Sequence, residues 1–146
     1  MQDCLSQTGM YQFYFLLDDQ GNPYPTDDAR AASQLLSDVE KRRIGETFFG
    51  AIRVSTVFLV FNHGAHDEQP VLYETMVFAD ESTLKRLMEL SETDDRSILA
   101  KFFGDFDIQK RYATRAEAIE GHKNMCTFIE VCLAKNLLDG SQRKAE

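Results

Sequence analysis

The sequence predicts an α+β fold: a mainly antiparallel sheet of about four or five strands, two long helices packed on one face, and a helical insertion. Two amphipathic stretches with helical spacing predict the long helices, one at residues 29–43 and one that begins after residue 114. The polar link at residues 64–70 is too short for a crossover connection, so the strands on either side of it run antiparallel. Runs rich in β-branched and aromatic residues predict the strands, at residues 11–17, 44–50, 52–62, 71–78 and 107–112.

The composition indicates one domain, residues 1–146, with enough apolar material for its own core. The 146 residues are 43% hydrophobic and include 11 phenylalanines, so the fold needs no disulfide or metal to hold it together. The formal net charge of −8 argues against general binding to nucleic-acid backbones, which requires clustered Lys and Arg. An acidic surface of this kind fits a protein that docks on a basic partner.

Cysteine content and hydropathy favour a cytoplasmic protein without membrane contact. The three cysteines include no CxxC pair, and their odd number suits a reducing compartment. No apolar run approaches the ~18 residues that a membrane helix requires, and the N-terminus lacks a signal-peptide core.

Turn and capping residues mark the first elements. The strand at residues 11–17 stops at residues 18–25, where Asp, Gly, Asn and Pro favour a turn. Thr26 offers a cap for the helix at residues 29–43, whose basic end suits the negative pole of a helix. The short strand at residues 44–50 then ends at a glycine.

The strand at residues 52–62 has the strongest pattern in the chain. Apolar side chains occupy both of its faces, which predicts a central strand covered on each side. A hairpin with residues 71–78 follows, because only the short polar link separates the two runs.

Residues 79–106 differ from the rest in their high charge. They contain two helical patterns, at residues 82–90 and 94–103, and predict a helical insertion ahead of the last strand.

The last helix begins with a capping box formed by Thr114 and Glu117, and its periodicity continues to residue 137 or 138. Gly140 is a suitable terminator. Residues 1–9 and 141–146 show no periodicity, so we expect them to be loose tails.

Three polar side chains lie where the pattern predicts apolar surroundings. His122 is in helical spacing with Ile119 and Cys126, so it faces the core. Glu74 shares a strand face with apolar residues, and His63 ends the previous strand on another apolar face. Imidazole and carboxylate groups in such places cost free energy unless they are paired or ligated.

Two interpretations of His63, Glu74 and His122 stay open. As a two-histidine, one-carboxylate set they would bind a divalent metal such as zinc, and metal-bound water would support hydrolysis. As a buried polar cluster, His122 would donate to Glu74 or to a backbone carbonyl, and His63 would cap a turn. The chain lacks the local HExxH spacing that makes a metal prediction specific, so the cluster is favoured and no cofactor is expected. No nucleophile elbow or phosphate-binding glycine loop occurs either, so we assign no catalytic residue.

Three segments resemble a family of small proteins encoded by bacteriophages and prophages, whose members tend to carry the patterns STVFLG-DH, PPLLFETMVFGG and RYSTWEEAEAGH. The matching segments are residues 55–63 (STVFLVFNH), 70–78 (PVLYETMVF) and 111–122 (RYATRAEAIEGH). The family has no agreed activity. Membership implies a role in the cytoplasm of an infected bacterium.

The chain departs from the family pattern in two places. Val60 and Asn62 replace the glycine and the aspartate that precede the histidine, which puts in doubt any role of that aspartate in orienting His63. The insertion at residues 79–106 replaces a short glycine-rich link, so this chain has gained a surface of its own.

These observations support a phage-encoded accessory protein that acts by binding a host or phage protein, for example as an inhibitor of host defence. One alternative is a metal-dependent hydrolase or small-ligand-binding protein that uses His63, Glu74 and His122. A second alternative is a structural component of the virion or of the replication machinery. Exposed sheet edges also predict that a homodimer can form.

Overall fold

The computed structural model describes residues 12–65, 68–92, 108–135 and 137–138. Within these ranges the fold is α+β, as predicted, with a two-stranded and a four-stranded sheet, both antiparallel. The elements, numbered in chain order, are β1 (Tyr14–Leu17), β2 (Pro23–Thr26), α1 (Ala29–Leu36), α2 (Val39–Arg42), β3 (Arg43–Phe49), β4 (Ile52–Phe58), β5 (Tyr73–Phe78), α3 (Glu81–Glu92), β6 (Gln109–Tyr112) and α4 (Arg115–Ala134).

The small sheet is a hairpin of β1 and β2 that closes on an aspartate turn. The Asp18 carboxylate accepts the backbone N–H groups of Gln20 and Asn22 at 2.9 and 2.8 Å. The prediction of one turn over residues 18–25 is therefore correct only in its first half, because Pro23–Thr26 pairs with β1. Proline lacks a backbone N–H, and β2 tolerates it because an edge strand donates few backbone hydrogen bonds.

The predicted single helix at residues 29–43 is wrong, because the chain forms two helices there. The Ser37 hydroxyl donates to the Ser33 carbonyl at 3.0 Å as α1 ends. The Asp38 carboxylate then accepts the Lys41 N–H at 3.2 Å and caps α2. Ser and Asp compete with helical hydrogen bonding in this way, which splits the helix despite its apolar stripe.

The large sheet is a meander in the order β3-β4-β5-β6. Alternation along β4 gives it two unequal faces: Val54, Thr56 and Phe58 are buried, whereas Ser55 and Val57 are half-exposed. We name these the helix-side face, on which α3 and α4 pack, and the outer face. The expectation that both sides of this strand are covered is therefore wrong for the outer face.

The central strand ends at Phe58, four residues earlier than predicted. Val60 is fully buried and has a φ of 72°, in the left-handed region where a β-branched residue is a rare outlier. Glycine, by contrast, adopts this conformation without steric cost. The apolar run in the sequence predicts a continuous strand here and gives no sign of the left-handed backbone that follows its end.

Two clusters of buried side chains form the core on the helix-side face. In one, α3 and α4 pack against β4 and β5. In the other, Ala32 of α1 and Ala118 of α4 meet Phe58 and Tyr73 of the sheet. Both long predicted helical regions therefore lie on one face, as expected.

The described part of the insertion is α3, which confirms the helix predicted at residues 82–90. The pattern predicted at residues 94–103 and the two tails predicted at residues 1–9 and 141–146 lie outside the described residues. Among the helices described, none is both long and apolar enough to cross a bilayer.

Candidate functional site

His122 lies between α4 and the sheet, where it joins a chain of threonine hydroxyls. Its Nδ1 is 2.7 Å from Thr56 Oγ1, and its Nε2 is 3.0 Å from Thr47 Oγ1. Thr56 Oγ1 in turn lies 2.5 Å from Thr75 Oγ1. We call Thr47, Thr56, Thr75 and His122 the threonine–histidine cluster. Each member comes from a different element, β3, β4, β5 and α4, so the cluster joins the helix to three strands.

The cluster suits a neutral imidazole. Burial lowers the pKa of His122, because the charged form loses solvation. A neutral ring has one donor and one acceptor nitrogen, and a hydroxyl can take either role, so every contact can be a hydrogen bond. The cluster therefore satisfies both ring nitrogens of the half-buried histidine without any charge.

Two glycines let the helix approach the sheet this closely. A Cβ on Gly45 would lie 3.1 Å from the His122 ring, and a Cβ on Gly121 would overlap the Tyr112 ring and hydroxyl. Burial also raises the pKa of Tyr112, so its hydroxyl stays protonated.

Residues 111–122 contain the contacts that attach α4 to the sheet. Thr114 Oγ1 accepts the Glu117 N–H, and the Glu117 carboxylate accepts the Thr114 N–H, both at 3.1 Å, as the predicted capping box requires. Ala118, Gly121 and His122 then face the sheet. These contacts fix both the start of α4 and its position on the sheet.

Glu74 lies on the other side of the sheet from His122. It pairs with Val57 and Arg111 across the strands, whereas the neighbouring Thr75 belongs to the helix-side cluster. Its carboxylate accepts from Arg111 Nε at 3.0 Å and from the Gln109 amide. This salt bridge satisfies the buried carboxylate, which is only 9% exposed as a residue.

His63 is exposed, and its backbone N–H donates to the Val71 carbonyl at 3.0 Å. The preceding Asn62 holds the loop together: its Oδ1 accepts the N–H groups of Gly64 and Val71 at 2.7 and 3.0 Å. Asn62 therefore closes the turn itself.

The structure does not bring His63, Glu74 and His122 together. The sheet separates the last two, and the first lies in an exposed turn. Across the residues described, no group of three His, Cys, Asp or Glu side chains is arranged to hold a metal ion. The interpretation as a polar cluster is correct in that His122 and Glu74 each have partners within the protein, but the expected pairing of His122 with Glu74 or with a backbone carbonyl is wrong. Threonine hydroxyls bind His122, and Arg111 binds Glu74 on the other side of the sheet.

The outer face carries a feature that the sequence reasoning missed. Phe48, Arg53 and Phe78 pair across β3, β4 and β5 and form one row, which we call the aromatic row. Phe48 is 63% exposed and Phe78 is 40% exposed, and the Arg53 guanidinium carbon lies 4.3 Å from the Phe78 ring centroid. The alternation of residues 44–50 is the signal that could have found it, since it places Phe48 on the face opposite Thr47.

Charged pairs surround the aromatic row. Glu46 accepts from Arg53 at 2.7 Å and lies 3.7 Å from Arg43, and the pair of Glu74 and Arg111 follows further along the face. Arg43 also pairs with Glu40 at 2.9 Å, so three arginines are matched by three glutamates and these pairs carry no net charge, on a chain whose formal net charge is −8.

An open groove of about 540 Å³ lies elsewhere, between the β1–β2 turn and α1. Leu16, Leu17 and Leu35 are among its lining residues, as are Asp38 and Lys41. It contains none of the three predicted ligands.

Comparisons with models of known protein families, with curated proteins and with solved structures find no match to this chain.

Proposed function

We propose that the protein acts by binding another protein, a host or phage protein in the cytoplasm of an infected bacterium, through the outer face of its four-stranded sheet. The observation that carries the proposal is the aromatic row. Aromatic and arginine side chains dominate the energetically important centres of protein interfaces. Phe48 and Phe78 expose large apolar area on a rigid strand scaffold, where burial by a partner needs little ordering.

The threonine–histidine cluster supports the same proposal by what it already does. Its histidine is uncharged and engaged by two hydroxyls, and it connects helix to sheet. Glu74 is likewise engaged in a salt bridge on the far side. These groups are already engaged in stabilising the fold. The function that we propose is therefore binding through the exposed aromatic row.

Inhibition of a host defence protein is the specific form of binding that the resemblance to phage proteins suggests. An acidic protein with one neutral, apolar-centred face would approach a basic partner through long-range attraction and bind it through the row.

The test is capture from bacterial host lysate on the immobilised full chain, followed by reconstitution with the purified partner. We expect one host or phage protein to bind the wild type, and Phe48→Asp to weaken that binding at least tenfold. Tyr24→Asp is the control, because Tyr24 is also an exposed aromatic residue (43%) but lies on the small sheet. If no captured protein depends on Phe48, the proposal is wrong.

A further inference from the structure

We infer that the groove between the β1–β2 turn and α1 is a second binding site, which takes a short protein segment that carries an apolar side chain beside lysine or arginine. The groove shares no lining residue with the aromatic row. The inference therefore stands apart from the proposed function.

Apolar side chains form one part of the groove. Leu16 and Leu17 come from β1, and Ala31 and Leu35 come from α1. All four are half-buried, so each keeps apolar surface that a bound side chain can remove from water. Leu17 and Leu35 also pack against the buried core, which fixes their positions before a ligand arrives.

The charged side chains of the groove select a cation. Its lining includes Asp18, Asp19 and Asp38 but one basic residue, Lys41, so the site has a net charge of −2. Within the ranges that the structure describes, none of these four groups forms a salt bridge. The outer face differs, because each of its glutamates is already paired with an arginine. A basic ligand therefore supplies the carboxylates of the groove with partners that the fold does not.

Two of these carboxylates are held in place by backbone groups. Asp18 Oδ1 accepts the N–H groups of Asn22 and Gln20 at 2.8 and 2.9 Å, and Asp38 Oδ1 accepts that of Lys41 at 3.2 Å. The hydrogen bonds from Asn22 and Gln20 lower the pKa of Asp18, so its carboxylate stays ionised. A carboxylate has about four acceptor sites, so both aspartates keep capacity for a lysine or arginine donor. Charges fixed in this way need little ordering when a ligand binds.

The size and shape of the groove fit a peptide segment. Its volume of about 540 Å³ lies within the range of about 300–1,000 Å³ that is typical of small-ligand sites. It holds a few residues of an extended chain, whereas the face of a folded domain needs a larger surface. The groove is open, so the rest of the partner chain can continue on either side of the bound residues.

The test is an NMR titration of the isotope-labelled full chain with the synthetic peptide acetyl-Gly-Arg-Leu-Arg-Gly-amide. We expect the backbone amide signals of Leu17, Gln34 and Leu35 to shift, with a dissociation constant below about 1 mM. The double variant Asp19→Asn/Asp38→Asn should bind the peptide about fivefold more weakly, because two carboxylates are lost. Asparagine caps helices as well as aspartate does, so α2 keeps its cap, and the amide spectrum verifies the fold.

The matched control is Asp27→Asn/Asp28→Asn, which removes two charges just before α1 but outside the lining of the groove. It reduces the long-range attraction of a basic peptide by the same amount, so it should bind within about twofold of the wild type. Two altered peptides test the ligand. Replacing both arginines by glutamate, or the leucine by glycine, should each weaken binding about fivefold or more.

The absence of any shift up to about 5 mM peptide overturns the inference, as does equal binding by the wild type and the groove variant. Equal binding of the glycine peptide would show that the apolar residues take no part, and would also overturn it. If butylamine binds as tightly as the peptide, the ligand is a small cation and not a protein segment. Phe48→Asp should bind the peptide like the wild type, so failure of this site is read independently of the aromatic row.

Discussion

The two faces of the large sheet are built from alternating residues of the same strands, yet they treat polar groups in opposite ways. On the helix-side face, Thr56 and Thr75 are fully buried, and their hydroxyls bind each other and His122. On the outer face, the polar groups are charged, paired and partly exposed, and two phenylalanines remain open. One face uses polar contacts to hold a helix, whereas the other leaves two aromatic side chains exposed.

The largest expected effect comes from substitutions at two neighbouring residues of β4 that lie on opposite faces. Thr56→Val keeps the side-chain shape but leaves His122 Nδ1 and the Thr75 hydroxyl without their partner, so we expect the free energy of unfolding to fall by about 2–4 kcal/mol. Ser55→Ala, one residue away on the outer face, should change it by less than about 0.5 kcal/mol. Urea unfolding of both variants measures this, and similar losses would contradict the assigned faces.

Gly121→Ala is expected to have the next largest effect. Alanine favours helices over glycine by about 1 kcal/mol, so propensity alone predicts a more stable protein. We expect a net loss of about 1–2 kcal/mol instead, because the new methyl group overlaps Tyr112 and overpacks the interface. Asn124→Ala, at an exposed position of the same helix, is the control and should not destabilise the protein. A stabilised Gly121→Ala variant would show that the helix does not sit this close to the sheet.

The pH dependence of stability gives the smallest expected effect. Burial lowers the pKa of His122 in the folded chain, so the unfolded chain binds a proton first as the pH falls below about 6.5. The contribution of neutral His122 is complete above that pH and is lost as the pH falls towards the folded pKa. We expect the wild type to lose more stability between pH 7.5 and 5.5 than His122→Asn, which cannot titrate. Urea unfolding at the two pH values measures both losses of stability. Equal losses for the wild type and for His122→Asn would mean that folding does not lower the pKa of His122.

Local patterns in the sequence were sufficient for much of the fold. The α+β class, the hairpin of the central strands and the Thr114–Glu117 cap follow from interactions between residues close in the chain, which composition and spacing report directly. The helical spacing also placed His122 towards the core, where it is found. The split of the first helix was missed because Ser37 and Asp38 act against an otherwise continuous apolar stripe.

By itself, the sequence determined the strands of the large sheet, the last helix and the fact that His122 and Glu74 need partners. Only the tertiary structure decided which partners they have. Strand alternation shows that Glu74 and Thr75 point to opposite faces, but it cannot show which face receives the last helix. That choice depends on packing between segments distant in the chain, and it gives His122 to the threonines, Glu74 to Arg111, and the open face to Phe48 and Phe78.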